Sequence, residues 1–254
     1  MGYPRMLEVR QRFDAPRVDD VAGTVAGELA RIGVRGRLRP GETVAVGVGS
    51  RGITNLALVV RTLVGVLKEA GVRPFIVPAM GSHGGATAEG QRAILAGYGI
   101  TEEGIGAPIR ASMETVDLGA ADDGIPIHFD RAAHEADHVA IVSRVKPHTN
   151  FAGEIESGLL KMTTIGLGKH AGAALYHRAI VDHGFDRVVR SASRAILARC
   201  RIAFGVALVE NGYDETALVE AVPAAAFTER DQALLVLAKC WLPRLPVHRP
   251  DLLI

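Results

Sequence analysis

Side chains able to move protons, attack carbon or hold an anion gather in one stretch of this chain. It runs Lys146-Pro-His148-Thr-Asn-Phe-Ala-Gly153, then Lys161, then Gly166-Leu-Gly168-Lys169-His170, then His177. Lys161 lies inside the apolar run GLLKMTTIGL, where an unpaired ammonium is costly. Desolvation there favours the neutral amine, which is a nucleophile or a covalent anchor; the alternative is a snorkelling lysine on a helix edge. Imidazole titrates near neutrality, so a histidine in a cleft can give or take a proton at pH 7. His170 and His177 stand 7 residues apart, two helical turns, on one side of a helix but without the one-turn spacing of a chelating pair.

Two glycine-rich turns precede this stretch. Gly47-Val-Gly49-Ser50-Arg51-Gly52 is a GxGxxG at a strand-to-helix junction, where bare backbone and a helix N-terminus suit a phosphate or carboxylate, and Arg51 adds a bidentate cation. The end of the next strand carries Met80 rather than the acid that would hold a ribose, which disfavours a dinucleotide site. The alternative is a tight turn that only needs small residues. Gly81-Ser82-His83-Gly84-Gly85-Ala86-Thr87 again follows a strand and precedes a helix. Its flanking glycines expose the imidazole of His83, a candidate general acid/base, or else a loop histidine capping the next helix.

The elements that must position these turns alternate between strand-like and helix-like runs. Leu7–Phe13 alternates as a strand, and Val18–Ile32 has helical spacing after an Asp-rich start. Thr43–Val48 reads as a buried parallel strand, Thr54–Ala70 as a helix, Phe75–Ala79 as a strand and Ala88–Ala96 as a helix. Pro108–Phe129 suggests an antiparallel hairpin insert, and Val139–Val142 another buried strand. Residues 157–200 read as helices broken at GLGKHAGA, Ile202–Val209 as a strand and Thr228–Cys240 as a helix. The expected fold is α/β: a mostly parallel, Rossmann-like sheet with helices on both faces and a small antiparallel insert. Residues 1–250 are expected to form one domain, and Asp251–Ile254 to begin the strand of a further one.

Composition narrows the function classes. Hydrophobic residues make up 48% and charged residues 22%, with Lys+Arg 29 against Asp+Glu 28, which fits neither a disordered nor a membrane chain. A net charge of +1 without a basic, aromatic-interleaved stripe gives no footprint for nucleic acid. Cys200 and Cys240 sit in no CxxC or Cys/His cluster, so no sequence-local zinc or iron-sulfur site is expected. Without an apolar run of 18 or more residues, the expected setting is cytoplasmic.

Taken in order, the motifs resemble the amino-terminal domain of the nickel-dependent lactate racemase family. The GSR turn with Arg51 resembles the family's HTR-type turn, GSHGGAT with His83 its GxHRPxT-type loop, and KPHTNFAG with His148 its PHxxAG motif. Lys161 resembles the lysine that follows, and His177, 16 residues further on, falls where the family has its metal-binding histidine. The resemblance spans roughly residues 40–180; within it, His83 is followed by GGAT rather than by an Arg-Pro pair.

The resemblance implies a nickel pincer nucleotide, a pyridinium bisthiocarboxylic acid mononucleotide carrying nickel, tethered to Lys161 through a thioamide. Nickel would be held by the cofactor and by His177, with His170 as the rival ligand. Arg51, Gly49, Ser50 and Gly168 would line the cofactor, and His83 and His148 would be the acid/base pair. The implied activity is racemisation or epimerisation of a small 2-hydroxy acid by reversible hydride transfer, which needs a base for each face of the carbon. The implied partners are cofactor-biosynthesis proteins and a C-terminal domain of the same protein. The competing expectation is a metal-free nucleotide- or anion-binding module with no catalysis of its own.

Overall fold

The computed structural model describes residues 8–246. Seven strands are present among them: β1 (Thr43–Val48), β2 (Arg73–Pro78), β3 (Thr115–Ala120), β4 (Pro126–Asp130), β5 (His138–Arg144), β6 (Ile202–Glu210) and β7 (Thr216–Pro223). The main sheet has the order β2-β1-β5-β6-β7. Its first four strands are parallel, and β7 closes one edge antiparallel to β6. The β3–β4 hairpin is a separate two-stranded sheet. The mixed, mostly parallel α/β class is therefore the observed one.

Ten α-helices among the described residues surround the sheets: α1 (Val21–Arg31), α2 (Val34–Arg37), α3 (Leu56–Glu69), α4 (Ala88–Gly97), α5 (Glu102–Ile105), α6 (Arg131–Glu135), α7 (Leu159–Lys161), α8 (Lys169–His183), α9 (Phe185–Arg199) and α10 (Phe227–Trp241). Strand side chains alternate between two cores. Val44, Val46 and Val48 face α1 and α3, whereas Ala45, Val77 and Ile141 face α8, α9 and α10. Covered on both sides, these strands are nearly continuous in apolar residues, as parallel strands between helices must be. Leu56, Val59, Val60, Leu63, Val64 and Leu67 form the stripe that binds α3 to the sheet, each contributing about 1.5–3 kcal/mol over an exposed position. None of the helices among the described residues is long and apolar enough to cross a membrane.

Two parts of the sequence reading are corrected. Residues 8–13 form no strand. Phe13 instead packs edge-on against Tyr213 at 5.4 Å between ring centroids, and its amide meets the tyrosine hydroxyl. Alternation creates a strand only where the segment pairs with a neighbour, and this one does not; the strand added at the edge beside β6 is β7, which the apolar pattern does not announce. The expected strand at Asp251–Ile254 lies outside the described residues.

The strand order matters for function. From β1 the chain passes to β2 on one side, then crosses to β5 on the other side of β1. The loops after β1 and β5 thus leave in opposite directions, and open α/β sheets bind ligands in the crevice such a reversal leaves at the carboxyl ends of their strands.

Candidate active site

Three loops meet over that crevice. The loop after β1 carries Gly49, Ser50 and Arg51 and is held from below: the Tyr98 hydroxyl donates to the Ser50 carbonyl at 2.8 Å, and Glu210 accepts the Thr54 amide at 2.7 Å. The loop after β2 carries His83. Gly84 has φ 67 there, and a Cβ on it would come within 2.7 Å of the Gln91 amide nitrogen, so close approach to α4 requires glycine. The buried Gln91 amide donates to the Gly81 and His83 carbonyls at 3.0 and 3.2 Å. Ser50 Oγ is hydrogen-bonded with His83 Nδ1, which ties the two loops together. Because a hydroxyl can donate or accept, His83 Nε2 can be a proton donor or a free base.

The third loop follows β5. Buried Glu156 accepts the amides of His148 at 2.9 Å and Gly153 at 3.0 Å, and Ser157 Oγ accepts the Lys146 amide at 2.7 Å. The His148 ring lies against Phe151, with centroids 4.6 Å apart, and Phe151 stacks on Phe185. Asn150 donates its amide to His148 Nδ1 at 3.1 Å. An accepting Nδ1 places the proton of the neutral ring on Nε2, so His148 presents a donor until the Asn150 bond is released.

Lys161 ends α7, and a π-helical turn (Met162–Gly166) follows it. Its ammonium lies 5.4 Å from the centre of the Phe185 ring. Burial, then repulsion from Arg51 and Lys146, brings the Lys161 ammonium down to about 8. His83 is held below the ordinary imidazole value by desolvation and by Arg51, Lys161 and His177. His148 is lowered by desolvation and by Lys161, against the opposing pull of Glu156. Lys146 is lowered by desolvation and by Arg144 and Arg51. Arg51, Lys146, Lys161 and His177 therefore lie near enough to His83 or His148 to act on them electrostatically, and the six side chains share one electropositive cleft.

A direct consequence concerns reactivity. The amine attacks only when deprotonated, so a lowered pKa extends its reactive range downward in pH. Acylation of Lys161, followed by peptide mass spectrometry across pH 6–11, should reach half its maximal rate near pH 8, as the shift implies. A midpoint near the ordinary 10.5 would show that Lys161 is not desolvated.

Both His170 and His177 are exposed on α8, and of the two only His177 is among the charges that lower His83. Gly168 is buried beneath the site, where a Cβ would come 2.6 Å from the Thr164 carbonyl oxygen; packing accounts for its smallness. A Cβ on Gly49 would press on the Met162 methyl at 3.0 Å. Lys169, unassigned by sequence reasoning, is fully buried, paired with Asp130 at 2.9 Å and donating to the Pro78 carbonyl at 2.5 Å. Among the described residues, no three His, Cys, Asp or Glu side chains converge as a metal cage, so a metal here needs donors beyond those side chains.

The model of the lactate racemase N-terminal domain family matches residues 34–186, which contain all of these cleft residues. The chain belongs to this family. Among solved structures, it is similar to the lactate racemase apoprotein from Thermoanaerobacterium thermosaccharolyticum, with a TM-score of 0.63 and 15% identity over 87% of this chain. At that identity the likeness carries the fold alone. The match takes in 57% of that protein, so the lactate racemase N-terminal domain fold seen here spans little more than half its length. No curated protein matches the chain.

Proposed function

We propose that this chain is the cofactor-holding, acid/base-supplying part of a 2-hydroxy acid racemase or epimerase that uses a nickel pincer nucleotide. The observation that carries this reading is the convergence at the switch point of a desolvated lysine, flanking cations and two histidines on separate loops. The residues fit the group. A mononucleotide brings a phosphate, for which Arg51 and the backbone at Gly49 and Ser50 supply charge and donors. The Lys161 amine suits a thioamide link, and His177 is the imidazole closest in effect to His83 and suited to nickel. When bound, the cofactor supplies a reversible hydride acceptor.

Within the cleft, His83 takes the hydroxyl proton of the substrate at Nε2 when Ser50 accepts from Nδ1. His148 holds the substrate oxygen by its Nε2 proton, and exchanges roles once Nδ1 is freed from Asn150. The cations that the cofactor does not engage neutralise the substrate carboxylate. Substrate closure would come from a C-terminal domain, and loading from cofactor-making enzymes.

The test is intact and peptide mass of the full-length protein coexpressed with those enzymes. A covalent addition on Lys161 together with bound nickel is expected. Lys161→Ala should abolish the addition, and His177→Ala should lower nickel content. An adduct that persists in Lys161→Ala sinks the assignment. An unmodified Lys161 in a protein that binds phosphate without nickel would favour the anion-binding module.

A further inference from the structure

Helix α10 lies outside the residues that match the family, yet two of its side chains reach the two loops that carry Lys161 and His148. Asp231 is buried, and its carboxylate accepts the Leu159 amide at 3.0 Å and the Leu160 amide at 2.8 Å. These are free N–H groups of the first turn leading to Lys161, which a carboxylate satisfies with both hydrogen bonds and charge. Burial pushes the Asp231 carboxyl up to about 7, and the two amides pull it back toward the ionised form. Gly158, just before, has φ 98, and a Cβ there would fall 2.4 Å from Asp231 Oδ1; glycine is what lets the carboxylate reach the helix end. Two turns further along α10, Lys239 donates to Glu156 Oε1 at 2.6 Å, the carboxylate that accepts the His148 and Gly153 amides. The helix itself is fixed by the buried Phe227, Leu234, Leu235 and Ala238 and by an Arg230–Glu220 pair at 2.7 Å to β7.

We infer that α10 is the positioning element of the site: Asp231 sets the helix end that bears Lys161, and Lys239 acts through Glu156 to set the loop that bears His148. Neither α10 residue touches the reacting atoms. The inference rests on Lys161 and His148 being the site residues, but its test needs no cofactor.

The four amides that accept these roles are their own reporters. Hydrogen exchange is measured on the full chain carrying Asp231→Asn, Lys239→Met or Lys239→Arg. Asparagine offers one acceptor where the carboxylate offers two, so Asp231→Asn should speed exchange at Leu159 and Leu160 by about tenfold or more, the scale of a lost charge-assisted bond. The His148 and Gly153 amides should not change. Lys239→Met should do the reverse, and Lys239→Arg should restore wild-type rates. As a second readout, loosening the helix end in Asp231→Asn should expose the Lys161 amine to water, and since burial is the first cause of its lowered value, its acylation midpoint should rise from about 8 toward 10.5, while it should stay in place in Lys239→Met. If Asp231→Asn does not fold, Lys239→Met decides alone. Unchanged rates in the folded variants, or equal acceleration of all four amides in each, would overturn the proposal. An unmodified Lys161 in coexpressed wild type would count against the cofactor and leave this result standing.

Discussion

Loaded full-length enzyme carrying His83→Ala or His148→Ala is expected to keep its nickel and its adduct while losing turnover by about 100-fold or more, the scale of a lost general acid/base. The expectation follows from position. Both rings belong to loops separate from Lys161 and His177, so removing them leaves the proposed anchor and ligand in place. Both are lowered from the ordinary 6.5, first by desolvation and then by neighbouring cations. A lowered imidazole stays neutral to more acid pH, so the acid limb of kcat/KM should fall below pH 6.5, not above it. Metal analysis, intact mass and steady-state rates on one preparation check all three points. Turnover within a few-fold of wild type in either variant would remove that histidine from the chemistry.

The largest expected effect on stability lies beneath the cleft. Asp130 and Lys169 are both fully buried and paired at 2.9 Å. Asp130→Ala removes one partner and strands an ammonium in the core, a loss of about 3–5 kcal/mol. For a chain of this size that corresponds to a fall in Tm of roughly 6–20 °C, at about 2–4 °C per kcal/mol. Replacing both partners, Asp130→Leu with Lys169→Met, should recover most of it, because the desolvation cost disappears along with the pair. Lys169 also donates to the Pro78 carbonyl at the end of β2, so the single variant should loosen the approach to His83 as well. Thermal unfolding of the two variants decides the matter; a Tm for Asp130→Ala within a degree or two of wild type would show that the pair is dispensable.

Most of the fold could be read locally because its signals are local. The run of Val at 43–48 and the Leu and Val stripe of α3 state their burial in their own spacing, and the structure ends β1 at Val48 and starts α3 at Leu56. The loops carrying Arg51, His83 and His148 were legible for the same reason: each follows a strand and is punctuated by glycine. What escaped depends on distant partners. Nothing near Lys169 announces Asp130, 39 residues earlier, so the chain's most buried lysine was passed over for Lys161. Asp231 and Gly158 explain each other only once α10 is docked. Strand β7 went unread because its Glu and Thr break the apolar pattern, as suits an edge facing fewer neighbours. The segment at 8–13 shows the converse error, an alternation that pairs with no strand and packs Phe13 on Tyr213 instead.

The strand order also governs when the cleft can exist. β1 and β5 are neighbours in the sheet but His138 is made 90 residues after Val48, several seconds later at about 5–20 residues per second. Through that interval the nascent chain holds the Arg51 and His83 turns on β1 and β2 with the opposite wall missing, and the exposed flank of β1 is an unpaired edge at which other strands can add. The length of chain between β1 and β5, to which the β3–β4 hairpin adds, thus sets a window of exposure during synthesis, and slower translation across residues 100–138 should lower the soluble yield more than the same slowing after β5.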